Sequence, residues 1–388
     1  MKRLLITSGI VSPDIGGPAS YLDTLIPVLA SRGYDIRILS YASTLRGPSV
    51  APGVETVRIP TYMPWGIRHI LFFLRTLSMA RSADVVMALN PISAGFPAYL
   101  CARLWRKPFV ARIAGDSAWE LALGAGTTRY MLDEFQSATK RGVTKMRDRI
   151  QRMVASGAQR VIVPSQYLAG IVAGWGVPAE HIEVVVNAVR MPSQLMRKED
   201  ARRELGISGN LIVSIGRLVP WKGFRMLVKI VPQLLGLNQF YRLVIVGDGP
   251  DMPILRTMIR SLGIDRKVYL VGRQSHEQIS KYLAAADVFV LNTGYEGFSH
   301  QLLEAMAHRV PVISTAVGGN REVIDQGKHG ILIRYNDEFN LVQTIHALWS
   351  EPTKQAEMVE AAYERVQEFS IDRMVDSTDR VLTSLIRS

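Results

Sequence analysis

At 388 residues the chain is too long for one ordinary core and fits two domains of typical size, and with 48% apolar residues and no low-complexity tract it has the means to bury both. A single cysteine, Cys101, excludes an intramolecular disulfide and points to a reducing compartment; beside Ala102 and Leu104 it reads as a small packing residue rather than a nucleophile. The net charge of +12 is concentrated, with fifteen Lys or Arg against six Asp or Glu in residues 61–160, and no nucleic-acid-binding motif accompanies it, so anionic lipid is the expected partner and nucleic acid is not.

The chain opens on Met1-Lys2-Arg3 and an apolar run that meets Ser12-Pro13-Asp14 too soon to be a signal peptide, so residues 4–7 read as a first strand. Gly16-Gly17-Pro18-Ala19 follows, at the start of a helix striped by Leu22, Leu25, Ile26 and Leu29. Adjacent glycines there let backbone approach a ligand and aim free amides at it, although the spacing is not the Gly-x-Gly-x-x-Gly of dinucleotide sites. Strand-like runs at 36–39, 85–88, 109–113, 161–163 and 184–186 then alternate with helical patterns. Among the latter, residues 65–77 combine Trp65 with aliphatic bulk and Arg68 and Arg75 one heptad apart, too short and interrupted to span a bilayer. Asp116, ahead of Ala118-Trp119-Glu120, suits a helix N-cap. Arg141, Lys145, Arg149 and Arg152 form a basic face opposite Val143, Met146, Ile150 and Met153, and contact with an anionic membrane by at least one of these two helices is expected.

Asn187 to Pro192 and the polar Arg197-Lys198-Glu199-Asp200 mark a linker, after which the alternation restarts at 211–215 and recurs at 243–246, 268–271, 288–291, 312–314 and 331–333. Two parallel sheets are therefore predicted. The strand at 211–215 runs into Gly216-Arg217 and Lys222-Gly223, placing an arginine fork and a lysine point charge where open α/β sheets bind anions, a pairing that suits a diphosphate. Gly247-Asp248-Gly249 comes closer to the dinucleotide fingerprint, but Met252 stands where its third glycine belongs. After residues 288–291, Glu296 falls in a loop, Ser299 serves as N-cap, and Glu304 lies about two turns into a helix buried through Leu302, Leu303 and Met306. Eight helical residues advance roughly 12 Å, the span of a nucleotide's ribose plus its diphosphate-linked hexose, so the two carboxylates are spaced to hold hydroxyls at both ends of one nucleotide-sugar. No Asp-x-Asp triplet occurs and the seven histidines lack metal-ligand spacing, so neither a metal nor another cofactor is expected.

Gly16-Gly17, Gly216-Arg217 to Lys222-Gly223, residues 246–250, the Glu296 and Glu304 pair, and Gly318-Gly319-Asn320-Arg321-Glu322 together resemble the retaining glycosyltransferases of family 4, over nearly the whole chain. The resemblance implies an α/β GT-B fold, two facing Rossmann-like, doubly wound domains with an interdomain cleft: an acceptor-binding domain at 1–188, a nucleotide-sugar-binding domain at 189–370, and a C-terminal helix at 371–388 crossing back to the first. It implies Arg217, Lys222, Glu296 and Asp116 as catalytic residues, and Gly16, Gly17, Gly216, Arg273, Gly297, Phe298, Ser299 and Glu304 on the donor. Many relatives carry a histidine where Asp116 stands, which puts that histidine's role in doubt and makes Asp116 a group for sugar hydroxyls or the acceptor. Glu322 is expected near the donor. The implied reaction is metal-independent transfer of a hexose from a nucleotide-sugar, UDP- before GDP-, to a lipid-linked saccharide or glycolipid. The enzyme would work in the cytoplasm, at the inner face of the membrane. The alternatives are a nucleotide-sugar-binding protein without transferase activity and a hydrolysing epimerase; a phosphorylase lacks its lysine-held pyridoxal signature.

Overall fold

The computed structural model describes residues 2–14, 16–47 and 49–386, so the chain ends named in the domain expectations, Met1, Arg387 and Ser388, lie outside the described residues. The chain divides into two compact units, Met1–Asn187 with Ile371–Ser388, and Ala188–Ser370. In the first, the order is β1 (Lys2–Ser8), α1 (Gly17–Ser31), β2 (Tyr34–Ala42), β3 (Glu55–Pro60), α2 (Trp65–Ser82), β4 (Val85–Ala88), α3 (Gly95–Leu104), β5 (Phe109–Arg112), α4 (Ser117–Gly124), α5 (Leu132–Ser137), α6 (Gly142–Ser156), β6 (Arg160–Val163), α7 (Gln166–Ala173) and β7 (Ile182–Val184). In the second it is α8 (Lys198–Leu205), β8 (Asn210–Ile215), α9 (Phe224–Leu237), β9 (Tyr241–Val246), α10 (Met252–Ser261), β10 (Val268–Gly272), α11 (His276–Ala285), β11 (Val288–Leu291), α12 (His300–Ala307), β12 (Val312–Thr315), α13 (Asn320–Val323), β13 (Ile331–Ile333), α14 (Glu338–Ala347) and α15 (Pro352–Val366). The last helix, α16 (Ile371–Ile386), belongs to the first unit.

Both sheets are wholly parallel, ordered β3-β2-β1-β4-β5-β6-β7 and β10-β9-β8-β11-β12-β13. Parallel strands are covered on both faces, which is why their sequences are near-continuous apolar runs: β4 and β11 are buried at every residue. Leu22, Leu25, Ile26 and Leu29 turn α1 into the first core, as their spacing predicts, and Cys101 is buried there on α3, its thiol pushed up to about 11 by desolvation. The helix α16 seals α1 through Met374, Val375, Val381 and Leu382, with Tyr21 Oη 3.1 Å from Thr378 Oγ1. Tyr34 Oη adds a 2.6 Å bond to Asp379.

One strand, β3, escapes the sequence reading. It is an edge strand, only its last two residues are buried, and it ends on Pro60, so it lacks the buried β-branched run that marks the others. In each sheet the strand order reverses beside the first strand of the unit, between β1 and β4 and between β8 and β11. At such a point successive loops part to opposite sides at the carboxyl ends of the strands, and ligands of open α/β sheets bind there.

Candidate functional site

In the second unit the loop after β8, residues 216–223, and the loop after β11, residues 292–299, flank the reversal and are stitched together by backbone. Gly294 donates its N–H to the carbonyl of Trp221 at 2.7 Å, and Asn292 Nδ2 donates to the Gly223 carbonyl at 3.2 Å. Asn292 is in turn clamped by Asn336, whose N–H reaches Asn292 Oδ1 at 3.0 Å. Gly223 has φ 64°, and a Cβ there would lie 1.8 Å from the Asn292 carbonyl, so both its left-handed turn and the close approach require glycine. The loop after β12 joins through Gly319, whose N–H meets the Glu296 carbonyl at 3.0 Å and whose Cα passes so near Gly297 that a Cβ would fall 2.2 Å from its carbonyl oxygen. On the far side, Leu218 exchanges backbone bonds with Asp248 and Asp251, and Arg225 grips the buried Asp251 carboxylate with Nε and Nη2 at 2.8 and 2.7 Å.

This scaffold brings Lys222 and Glu296 into direct contact. Nζ of Lys222 donates to Glu296 Oε1, and the two side chains retain only 15% and 9% of their surface. A charge-assisted bond in so enclosed a place is strong and fixes both groups. It takes one of the three donors of an ammonium, leaving two for an incoming anion. Arg217 is exposed on the same loop, five residues earlier, and Gly216 is half-buried beside it. The sequence treats Lys222 and Glu296 as serving different parts of a ligand; in the structure they are one ion pair.

Glu304 is the fifth residue of α12, which begins at His300, so it lies a little over one turn into the helix rather than two, and the 12 Å helical spacing from Glu296 does not apply because half of that interval is loop. The residue keeps some accessible surface, yet protein crowds its carboxyl, and the resulting desolvation pushes its pKa up to about 7. Ser299 caps α12, its Oγ accepting from the Leu302 N–H at 3.3 Å. The Phe298 ring is buried edge-on against Phe369, centroids 5.4 Å apart, so it packs and leaves its backbone as what it can offer a ligand. Arg273 is exposed beyond the outer strand β10, two strands from the reversal. Glu322 sits on the short α13, its carbonyl held by Arg365 Nη2.

In the first unit Gly16 and Gly17 begin α1 beside the β1–β4 reversal, with no side-chain cap on that helix. Asp116 is different: it is wholly buried and caps α4, with Oδ1 accepting from Trp119 N–H at 2.9 Å and Gln151 Nε2 at 2.8 Å, and Oδ2 from Gln136 Nε2 at 2.9 Å. Both oxygens are committed to protein. Desolvation raises its pKa while the three donors oppose the rise. Sequence reasoning did not single out Asn292 or Asn336, although Asn292-Thr293-Gly294 directly after an apolar strand is a turn signal. Among the described residues no group of three or more His, Cys, Asp or Glu is placed to hold a metal, and no helix is long and apolar enough to cross a membrane.

Residues 16–188 match the family model for the glycosyl transferase 4-like domain and residues 197–365 that for glycosyl transferases group 1. Similar curated proteins include the lipopolysaccharide core biosynthesis glycosyltransferase LpsE of Rhizobium meliloti, 28% identical over 54% of this chain and 59% of that protein, and the D-inositol 3-phosphate glycosyltransferase of Corynebacterium efficiens, 26% identical over 70% of this chain and 64% of that one. In both, the match spans less than two thirds of the relative's length. Among solved structures, Anabaena HepE in complex with UDP-glucose superposes with a TM-score of 0.80 at 20% identity, covering 99% of this chain and 100% of that one. The sucrose-phosphate synthase of Thermosynechococcus elongatus gives 0.81 at 20% identity, covering 100% of both. At that identity these likenesses establish the fold, two-domain GT-B.

Proposed function

Because this chain belongs to the GT-B glycosyltransferases of the group 1, family 4 type, we propose that it transfers a hexose-type sugar, with retention, from a nucleoside-diphosphate sugar to a lipid-linked saccharide or glycolipid at the inner face of an anionic membrane, in polysaccharide or lipopolysaccharide assembly. The observation that carries the proposal is the Lys222–Glu296 pair, held by two loops at the strand-order reversal of the second sheet. Lys222 and Arg217 supply positive charge for the diphosphate, whose charge grows as the bond from the anomeric carbon to its oxygen breaks, the work a divalent cation does elsewhere. Glu296 orients Lys222 and meets the sugar hydroxyls; Glu304 accepts from the ribose. Backbone of Gly216, Gly297 and Phe298, the cap at Ser299, and Arg273 complete the donor side. In keeping with the family, the acceptor hydroxyl adds from the face the diphosphate leaves, and a donor phosphate oxygen takes its proton. Asp116 we assign to holding α4, a positioning part, because its oxygens are already engaged. UDP is favoured over GDP by the UDP and UDP-glucose found in the HepE structures, and a lipopolysaccharide-type acceptor by LpsE.

The test uses purified protein with UDP- and GDP-hexoses and a lipid-linked saccharide extract, following sugar incorporation and the anomeric configuration of the product by NMR. Chelator should leave the rate unchanged. UDP at a hundredfold excess over its Kd should stabilise the protein by about 2.7 kcal/mol, a rise of roughly 5–10 °C in the melting of a unit this size. No stabilisation by any nucleoside diphosphate, with no transfer, would overturn the proposal; transfer with inversion would overturn its retaining part alone.

A further inference from the structure

The helix α6 turns polar as well as apolar side chains inward. Its inward face mixes both kinds: Asp148 and Gln151 are buried with Val154 and Ala155, and Gln151 both donates to Asp116 and accepts from the Ala118 N–H at 3.0 Å, so the helix is docked by hydrogen bonds onto the start of α4. Part of the apolar stripe stays outside, while Ile150 packs in part against the first core. Val143, Met146 and Met153 are 56%, 54% and 40% exposed, and with Ile150 they lie at helical spacings of three and four residues. Lys145 and Arg149 stand exposed beside them, and with Met146, Ile150 and Met153 they line a shallow open recess of about 330 Å³. The only acid of the helix, Asp148, is turned inward and paired with Arg152 at 2.9 Å and Lys140 at 3.9 Å, so the outward face carries cations alone.

A neighbouring helix pair of the same unit also exposes apolar side chains beside cations. α3 packs between α2 and α6, and α2 exposes Trp65, Ile67, Ile70 and Leu74 with Arg75 beside them. Exposed apolar area of this extent, interleaved with one sign of charge, is uncommon on a surface that meets only water. A second copy of the chain would present the same cations and be repelled.

We propose that the outward face of α6 docks on an anionic lipid bilayer, with Met146 and Met153 entering the headgroup boundary while Lys145 and Arg149 meet the lipid phosphates. The proposal rests on the lipid-acceptor reading above and assigns the surface that brings the enzyme to its acceptor. Insertion and charge both contribute in such contacts, and each surface cation adds about a fivefold increase in partitioning.

Flotation of the full chain with vesicles of phosphatidylcholine alone, or mixed equally with phosphatidylglycerol, tests it. Binding is expected to the anionic vesicles only and to weaken with salt. Lys145→Glu with Arg149→Glu should reduce it at least twentyfold, and Met146→Ser with Met153→Ser about tenfold. All four positions are exposed or on the recess rim, and unchanged thermal melting and unchanged turnover of donor on a water-soluble acceptor fragment would show the fold and site intact. Equal binding to both vesicle types, or to anionic vesicles by both double variants, would overturn the proposal; loss in the charge variant alone would overturn insertion. Transfer activity without vesicle binding would leave the transferase reading standing and remove this one, whereas vesicle binding without donor turnover would do the reverse.

Discussion

The contact between Lys222 and Glu296 makes a quantitative prediction that separates stability from chemistry. In Lys222→Met a carboxylate with 9% of its surface exposed loses its only cationic partner in that contact, which should cost about 3 kcal/mol, the lower end for breaking an enclosed ion pair. Glu296→Gln keeps an amide oxygen for the ammonium, so roughly 2 kcal/mol is expected. The double variant leaves neither charge stranded; it should cost about 2 kcal/mol rather than the sum of about 5, a coupling near 3 kcal/mol. In a unit of this size each kcal/mol moves the melting temperature by about 2–4 °C, so the Lys222→Met shift is well within the reach of calorimetry on the ligand-free protein. Turnover should behave otherwise. Lys222→Met removes a partner of the leaving diphosphate and should lower kcat at least a hundredfold, about 2.7 kcal/mol of barrier, and the double variant should recover stability without recovering rate. If the two single costs add to within about 0.5 kcal/mol in the double variant, the pair does not act as a unit and the reasoning fails.

Arg217→Ala, on an exposed side chain, should leave melting unchanged and lower turnover by two orders of magnitude or more; a near-normal rate would detach Arg217 from the diphosphate. Glu304 is held in its acid form up to about pH 7 by desolvation, against a usual value near 4.5. Folding alone is thus favoured below pH 4.5 and loses that advantage as pH rises toward 7, while hydroxyl binding wants the carboxylate. Nucleoside diphosphate affinity should therefore climb as pH rises through 6 to 7 and level off above, and Glu304→Gln should flatten that profile while raising the donor KM more than it lowers kcat; an unchanged profile in the variant would clear Glu304 of the role. Gly223→Ala places a Cβ against the Asn292 carbonyl at a left-handed turn and should lower the melting temperature by several degrees, so a variant as stable as the parent would contradict the loop geometry.

Most of the architecture is legible in the chain because parallel strands must be apolar throughout: residues 85–88, 288–291 and 331–333 are strands to the residue. The last strand of the first sheet falls two residues earlier than expected, at Ile182–Val184, since the valines at 185 and 186 extend the apolar run past the ladder. β3 hides because an edge strand needs no such run. Counting helical residues from Glu296 sets Glu304 too deep in α12, although the Ser299 cap, itself legible, starts the helix only at His300. The meeting of Lys222 with Glu296 depends on two crossovers seventy-four residues apart in sequence, a long-range fact that no local pattern carries. For α6, amphipathic spacing identifies two faces but not which one is inside: Gln151, bonded to the Asp116 cap, is buried with Val154 and Ala155, while Met146 and Met153 stay exposed.

The docking of α16 on α1 bears on how the protein is made. Residues 188–370 form one unit inserted in the sequence of the other, so a ribosome finishes the whole of the second unit before it releases the helix that packs on α1 of the first. Until then Tyr21 on α1 and Tyr34 on β2 lack their partners Thr378 and Asp379, and the face of α1 that α16 will pack against lies open. The first unit, whose sheet is synthesised before the second unit, is thereby completed only after it, and the interval is one in which a chaperone would find its ligand along α1.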